Sequence, residues 1–283
     1  MAGRETSPWW ARVASAVMVV LLAGCGSSGR SGATGAVDPS TGAGSTSGAA
    51  GTCPGAGSLH DEAAPFTSSD PEPAIVYLPA CYDVDPQRRF PVLYLLHGAS
   101  ADESQWLDVG VADTADSLID RGAIEPLVIV MPDGGPSMPD DLIPSVGDRL
   151  VPWADGAYRT IAARQGRAVG GISRGGRIAL LAAAQRPDLF AVVGGHSPAV
   201  TEDDATPAVV AGLAGFGSNV AIDAGDGDPL RGGAEDFAAV ATPGRAVVVS
   251  SGGHNRRYWS EHVADYLRFY GRGLSAASSP PGG

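Results

Sequence analysis

The residues best suited to covalent chemistry lie at Gly171-Ile172-Ser173-Arg174-Gly175. A short apolar run ending at Gly170 precedes them, and an Ala- and Leu-rich stretch over 174–185 follows. A serine between a strand and a helix sits on a sharp, strained turn. The flanking glycines Gly171 and Gly175 remove side chains that would collide across that turn. The helix that follows begins with free N–H groups aimed at developing negative charge. A serine hydroxyl needs a base to become a nucleophile, and a base needs a carboxylate to orient it. Of the five histidines, His254 in Ser-Ser-Gly-Gly-His-Asn follows an apolar run over 246–250, at the strand edge where catalytic groups gather. His262 falls inside the last predicted helix, and His60 has no supporting context. Three carboxylates, Asp223, Asp226 and Asp228, follow the apolar run over 219–223. Asp228 is favoured because it lies furthest along the loop; Asp223 is expected to close the strand and Asp226 to shape the turn.

The elements that would hold these groups alternate. Strands are predicted at 74–78, 91–96, 127–131, 167–170, 191–194, 219–223 and 246–250. Helices are predicted at 111–121, 174–185, 234–241 and 259–270, with a helical region over 142–163 interrupted by Pro144 and Pro152. This pattern implies an α/β fold with a mostly parallel central sheet and helices on both faces. No long insertion suggests a large lid, so an open pocket suited to short acyl chains or bulky soluble alcohols is expected.

The 283 residues, 44% apolar, suffice for one such domain. Nineteen Lys and Arg against 31 Asp and Glu give a net charge of -12, which argues against nucleic acid as a partner.

The chain ends carry different information. Residues 1–24 read as an export signal: Arg4 and Arg12, an apolar run from Val13 to Ala23, then Leu22-Ala23-Gly24-Cys25. The last four residues resemble a bacterial lipobox, which implies lipidation at Cys25 and anchoring to the outer face of the cell membrane. An ordinary secretory signal is the alternative. Residues 25–52, almost all Gly, Ser, Ala and Thr, are expected to be a flexible tether, 53–272 the catalytic domain, and 273–283 a disordered tail. Outside the cytosol, Cys53 and Cys81 are expected to form a disulfide, two buried thiols being the alternative.

The domain as a whole resembles the esterase D-like branch of the α/β-hydrolases, which includes feruloyl and acetyl esterases and mycolyltransferases. The matching segments are Val76-Tyr77-Leu78-Pro79, Pro91 to Gly98, Met131-Pro132-Asp133-Gly134, Leu142-Ile143-Pro144, the serine turn, Gly194-Gly195-His196-Ser197-Pro198, Asp228-Pro229-Leu230 and Gly252-Gly253-His254. The resemblance implies a Ser173–Asp228–His254 triad, no metal and no cofactor. It places the oxyanion donors at the backbone N–H of Arg174 and at that of Ala99 or Ser100. His97 is expected to hold that loop, and His196 either to line the pocket or to serve structurally. The Arg174 side chain either favours anionic substrates or pairs with a nearby acid such as Glu103. The activity implied is serine ester hydrolysis of small-molecule or carbohydrate esters through an acyl-enzyme. Two alternatives are acyl transfer to a sugar or glycolipid hydroxyl, and a non-catalytic binding module on the same fold.

Overall fold

The computed structural model describes residues 53–67 and 71–278, which belong to one compact unit. The signal, Cys25, the tether and residues 279–283 lie outside the described residues.

Eight strands form one sheet: β1 (Ser58–Ala64), β2 (Glu72–Leu78), β3 (Val92–Leu96), β4 (Val128–Pro132), β5 (Arg167–Ile172), β6 (Val192–His196), β7 (Val220–Gly225) and β8 (Val248–Ser250). Their order is β1-β2-β4-β3-β5-β6-β7-β8. The β1–β2 and β2–β4 pairs are antiparallel and all others parallel. β3, β4, β5 and β6 are buried along their whole length, as parallel strands covered on both faces must be. The chain reverses direction across the sheet at β3: β4 pairs on one side of it and β5 on the other. The crevice beyond the carboxyl ends of β3 and β5 is such a fold's natural ligand site.

The main helices are α1 (Gln105–Asp108), α2 (Val111–Asp120), α3 (Leu142–Ser145), α4 (Val151–Ala157), α5 (Arg174–Gln185), α6 (Pro207–Ala214), α7 (Arg231–Ala241) and α8 (Arg256–Ser278). Two adjacent Gly-Gly pairs show how helices cover both faces. A Cβ on Gly170 or Gly194 would collide with Tyr270 of α8, and one on Gly195 would meet Leu180 of α5. Successive strand residues point to opposite faces, so α8 and α5 lie on opposite sides, each against bare backbone.

Four features depart from the sequence reading. β1 was not anticipated, because six of its seven residues are exposed and it carries no apolar alternation. α6 was missed as well. The prolines at 144 and 152 do not break the helical region over 142–157. Pro144 lies in the first turn of the short α3, where its missing N–H costs nothing, and Pro152 follows directly on a π-helical segment (Val146–Leu150) that joins α3 to α4. The last helix also runs on to Ser278 with Leu274 buried, where an irregular tail is expected from 273.

Candidate active site

Ser173 occupies the junction of β5 and α5 with φ 55° and ψ -117°. A non-glycine residue there is strained and is held by its surroundings. Its N–H donates to His196 O at 3.0 Å, and its carbonyl accepts from Ala199 N at 3.0 Å. The neighbouring glycines are obligatory: a Cβ on Gly171 would lie 2.3 Å from the Gly175 carbonyl carbon, and one on Gly175 would lie 2.3 Å from Leu96 O.

His254 reaches Ser173 from the loop between β8 and α8. Its Nε2 lies 3.1 Å from Ser173 Oγ, and its Nδ1 lies 3.0 and 3.2 Å from the two oxygens of Asp228. Asp228 is buried, and its Oδ1 also accepts the Leu230 N–H at 2.8 Å. Donation from Nδ1 to the carboxylate leaves Nε2 as the acceptor for the serine proton. The two loops are pinned to each other: Asp226 Oδ1 accepts the Gly252 N–H at 2.9 Å, and Gly227 N donates to Gly252 O at 2.8 Å. Of the three aspartates considered, only Asp228 hydrogen-bonds His254; Asp226 does shape the turn.

Asp223 does more than close its strand. It is buried and accepts hydrogen bonds from His196 Nδ1 (2.6 Å), Tyr258 OH (3.1 Å) and Tyr266 OH (2.9 Å). His196 Nε2 lies 2.8 Å from Tyr270 OH. His196 is therefore structural, tying β6 and β7 to α8. The Trp259 indole of α8 donates to Ser197 Oγ at 3.2 Å and stands edge-on to the His254 ring, centroids 5.2 Å apart. The carboxylate thus braces both the backbone that holds Ser173 and the helix that follows His254. Nothing in its local sequence distinguished this role.

The loop after β3 lies against the serine: a Cβ on Gly98 would come within 3.2 Å of Ser173 Cβ. His97 holds it through Nδ1 to Gly98 O (2.8 Å) and through Nε2, which accepts the Gly134 N–H at 2.9 Å. Of the two candidate donors on this loop, Ser100 is already engaged. Its N–H is committed to Pro136 O at 2.7 Å, with the residue at φ 63°. Among the described residues no protein acceptor takes the Ala99 N–H or the Arg174 N–H, so both remain free to donate.

The Arg174 side chain pairs with Asp140, not Glu103: its Nη2 lies 2.7 Å from Asp140 Oδ1 and 2.9 Å from Met138 O. Arg177 also reaches Asp140, at 2.6 Å, and binds Asp204. Burial pushes the Asp140 carboxyl up, but hydrogen bonds from Arg177 and Arg174 outweigh it and hold the group below the usual range. Glu103 is instead pushed up, chiefly by desolvation. Cys53 and Cys81 form a disulfide that ties the start of the domain to the end of β2. Among the described residues, no cluster of three or more His, Cys, Asp or Glu has metal-holding geometry.

Comparison with known proteins gives this geometry a family. Residues 69–270 match the family model described as "Putative esterase". The chain is 34% identical over 131 residues to an endo-1,4-beta-xylanase/feruloyl esterase of Xylanibacter ruminicola, covering 41% of this chain and 18% of that protein. It is 38% identical over 121 residues to Esterase Rv1288 of Mycobacterium tuberculosis, covering 39% of this chain and 25% of that one. The aligned segments thus span a quarter or less of those relatives' length. A solved ferulic acid esterase superposes with TM-score 0.68 at 23% identity, covering 77% of this chain and 99% of that chain. An S-formylglutathione hydrolase from Staphylococcus aureus superposes with TM-score 0.57 at 17% identity, covering 76% and 98%. At such identities the likeness is one of fold. The family match runs from just before β2 into α8, and the chain, with its α/β-hydrolase fold, belongs to the "Putative esterase" family.

Proposed function

We propose that the protein cleaves carboxylic esters through Ser173, His254 and Asp228 by way of an acyl-enzyme. The observation that carries this is the continuous chain Ser173 Oγ–His254 Nε2 (3.1 Å) and His254 Nδ1–Asp228 (3.0 Å). Ser173 Oγ attacks the ester carbonyl carbon as His254 Nε2 takes its proton. The Ala99 and Arg174 N–H groups hold the tetrahedral oxyanion. The intermediate collapses with loss of the alcohol, whose oxygen takes the proton back from His254. Water, deprotonated in turn by His254, attacks the acyl-enzyme, and the acid departs as Ser173 recovers its proton. Asp228 keeps the proton on Nδ1 and stabilises the transient imidazolium.

The test is hydrolysis of p-nitrophenyl esters of graded chain length and of methyl ferulate, the latter chosen because relatives are named feruloyl esterases. Ser173→Ala should lower kcat/KM by on the order of 10⁴-fold or more. Turnover by the variant near the wild-type rate would overturn the assignment. Analysis of products formed with an added sugar acceptor separates hydrolysis from acyl transfer.

The sequence Leu22-Ala23-Gly24-Cys25 supports a second proposal, that the protein is exported and lipid-anchored through Cys25. Labelled palmitate should enter the full chain in a bacterial host and be lost in Cys25→Ser; equal labelling of both would refute the anchor.

A further inference from the structure

The two edges of the sheet are unlike. β1 presents His60, Asp61 and Glu62 to solvent, and charges on an edge strand discourage pairing with another chain. β8 has no such protection. Ala246 to Gly253 holds no charged residue, and Val248 and Val249 are 61% and 41% exposed. Ser250 O accepts the Asp226 N–H at 2.8 Å, so Ser250, and Val248 two residues before it, turn their backbone groups toward β7. Val249 between them turns its N–H and C=O to solvent. The two valine side chains lie on opposite faces of the sheet. Val248 stands on the α8 face, in register with Asp223, beside a cleft of about 240 Å³ walled by Tyr266 and Phe269.

We infer that β8 pairs with β8 of a second copy of this chain, antiparallel about a two-fold axis, joining the two eight-stranded sheets edge to edge. Open backbone groups flanked by apolar side chains are a template for another strand. The charges beside them select a second copy as that strand's owner.

α8 runs antiparallel to the strands it covers. Tyr266 stacks on His196 at the end of β6, and a Cβ on Gly273 would strike Val192 at its start. Asp265 and Arg272 therefore border opposite ends of the Val248 cleft, about 10 Å apart along the helix. A two-fold axis reverses that order in the partner. It sets the Asp265 end of one α8 opposite the Arg272 end of the other, and does so twice. Both side chains are open to such a contact. Arg272 has no carboxylate partner among the described residues, and Asp265 gives only Oδ1 to Arg268, at 2.9 Å. An apolar centre with opposite charges at its two ends is complementary to itself, which is what a two-fold interface requires. The chain ends offer no rival strand: 279–283 reads Ser-Pro-Pro-Gly-Gly, and 26–51 is almost all Gly, Ser, Ala and Thr.

The experiment follows the full chain in non-ionic detergent by sedimentation velocity at concentrations up to about 100 μM. The wild type should dimerise. Val249→Arg, which puts a charge at the centre of the strand pair, should raise the dimer Kd by about 100-fold or more. Asp265→Arg should raise it roughly 10-fold, because like charges then meet twice, and adding Arg272→Asp should restore it. These side chains are exposed, and circular dichroism checks that each variant is folded. The swap on α8 leaves the strand untouched, so it decides the matter where Val249→Arg does not fold. Val248→Cys should also link copy to copy through a short bismaleimide, and Leu59→Cys on β1 should not. A monomer throughout the range, a dimer that survives Val249→Arg, a double swap no tighter than Asp265→Arg alone, or equal linking from Leu59→Cys overturns the inference.

Discussion

Ser173 is useful because its backbone is forced into a conformation that serine avoids, φ 55° and ψ -117°. The strain is offset by hydrogen bonds to His196 and Ala199 and by the close approach of Gly171 and Gly175. The result is a hydroxyl at the tip of a turn, within reach of one imidazole and beside two unclaimed N–H groups. The adjacent Arg174 separates into two parts. Its N–H, free of a protein acceptor, is the proposed oxyanion donor, while its guanidinium is occupied by Asp140 and Met138 O. Arg174→Ala should therefore change kcat/KM for a neutral ester by less than about 10-fold. A backbone oxyanion donor, by contrast, is worth about 10²–10³-fold in kcat. Steady-state kinetics on p-nitrophenyl butyrate decides between them; a loss of 10³-fold would show that the guanidinium itself takes part.

At the scale of elements, α8 organises the site. It starts just after His254, carries Trp259 against that ring, and sends Tyr258, Tyr266 and Tyr270 into the Asp223–His196 pair. Burial, and then the Asp223 carboxylate, push the hydroxyls of Tyr266 and Tyr270 well above the ordinary tyrosine value. In the unfolded chain these hydroxyls ionise from about pH 10. Above that pH the unfolded state binds fewer protons than the folded one, so stability falls as pH rises and is fully present below it. Each tyrosine contributes about 1.4 kcal/mol per pH unit to this loss. Urea unfolding between about pH 9 and 11 should show the decline, and Tyr266→Phe should make it shallower. An unchanged slope would mean that Tyr266 does not stay protonated in the fold.

For the molecule as a whole, one covalent tie joins the start of the domain to the sheet. The Cys53–Cys81 disulfide closes a loop with a sequence separation of 28 residues, which also contains the exposed edge strand β1. Loop-closure entropy for that length corresponds to about 3–4 kcal/mol. The double substitution Cys53→Ser and Cys81→Ser should lower unfolding stability by roughly 2–4 kcal/mol, while leaving ester turnover measurable, because both residues are remote in sequence from the Ser173, Asp228 and His254 loops. Equal urea midpoints for the two proteins would remove the bridge from any stabilising role.

Local sequence determined the elements whose signals are local. The four central strands β3, β4, β5 and β6 are short apolar runs buried on both faces, and α5 lies between a turn that only glycines permit and Pro187, so these were legible within a few residues. The Gly-x-Ser-x-Gly turn and the loops carrying Asp228 and His254 were legible because strand, turn and helix chemistry agree there. β1 was not, since an exposed edge strand is made by pairing with β2 and not by its own pattern. The continuity of 142–157 was hidden by its prolines, one in the first turn of α3 and the other directly after a π-helical segment. Only the tertiary structure distinguished the Ala99 and Ser100 N–H groups, because a distant carbonyl, Pro136 O, takes that of Ser100. Likewise only it found Asp140 as the partner of Arg174 and Asp223 as the anchor of α8. Hydrogen bonds between residues far apart in the chain depend on where the backbone brings donors and acceptors together, and no local spacing encodes that.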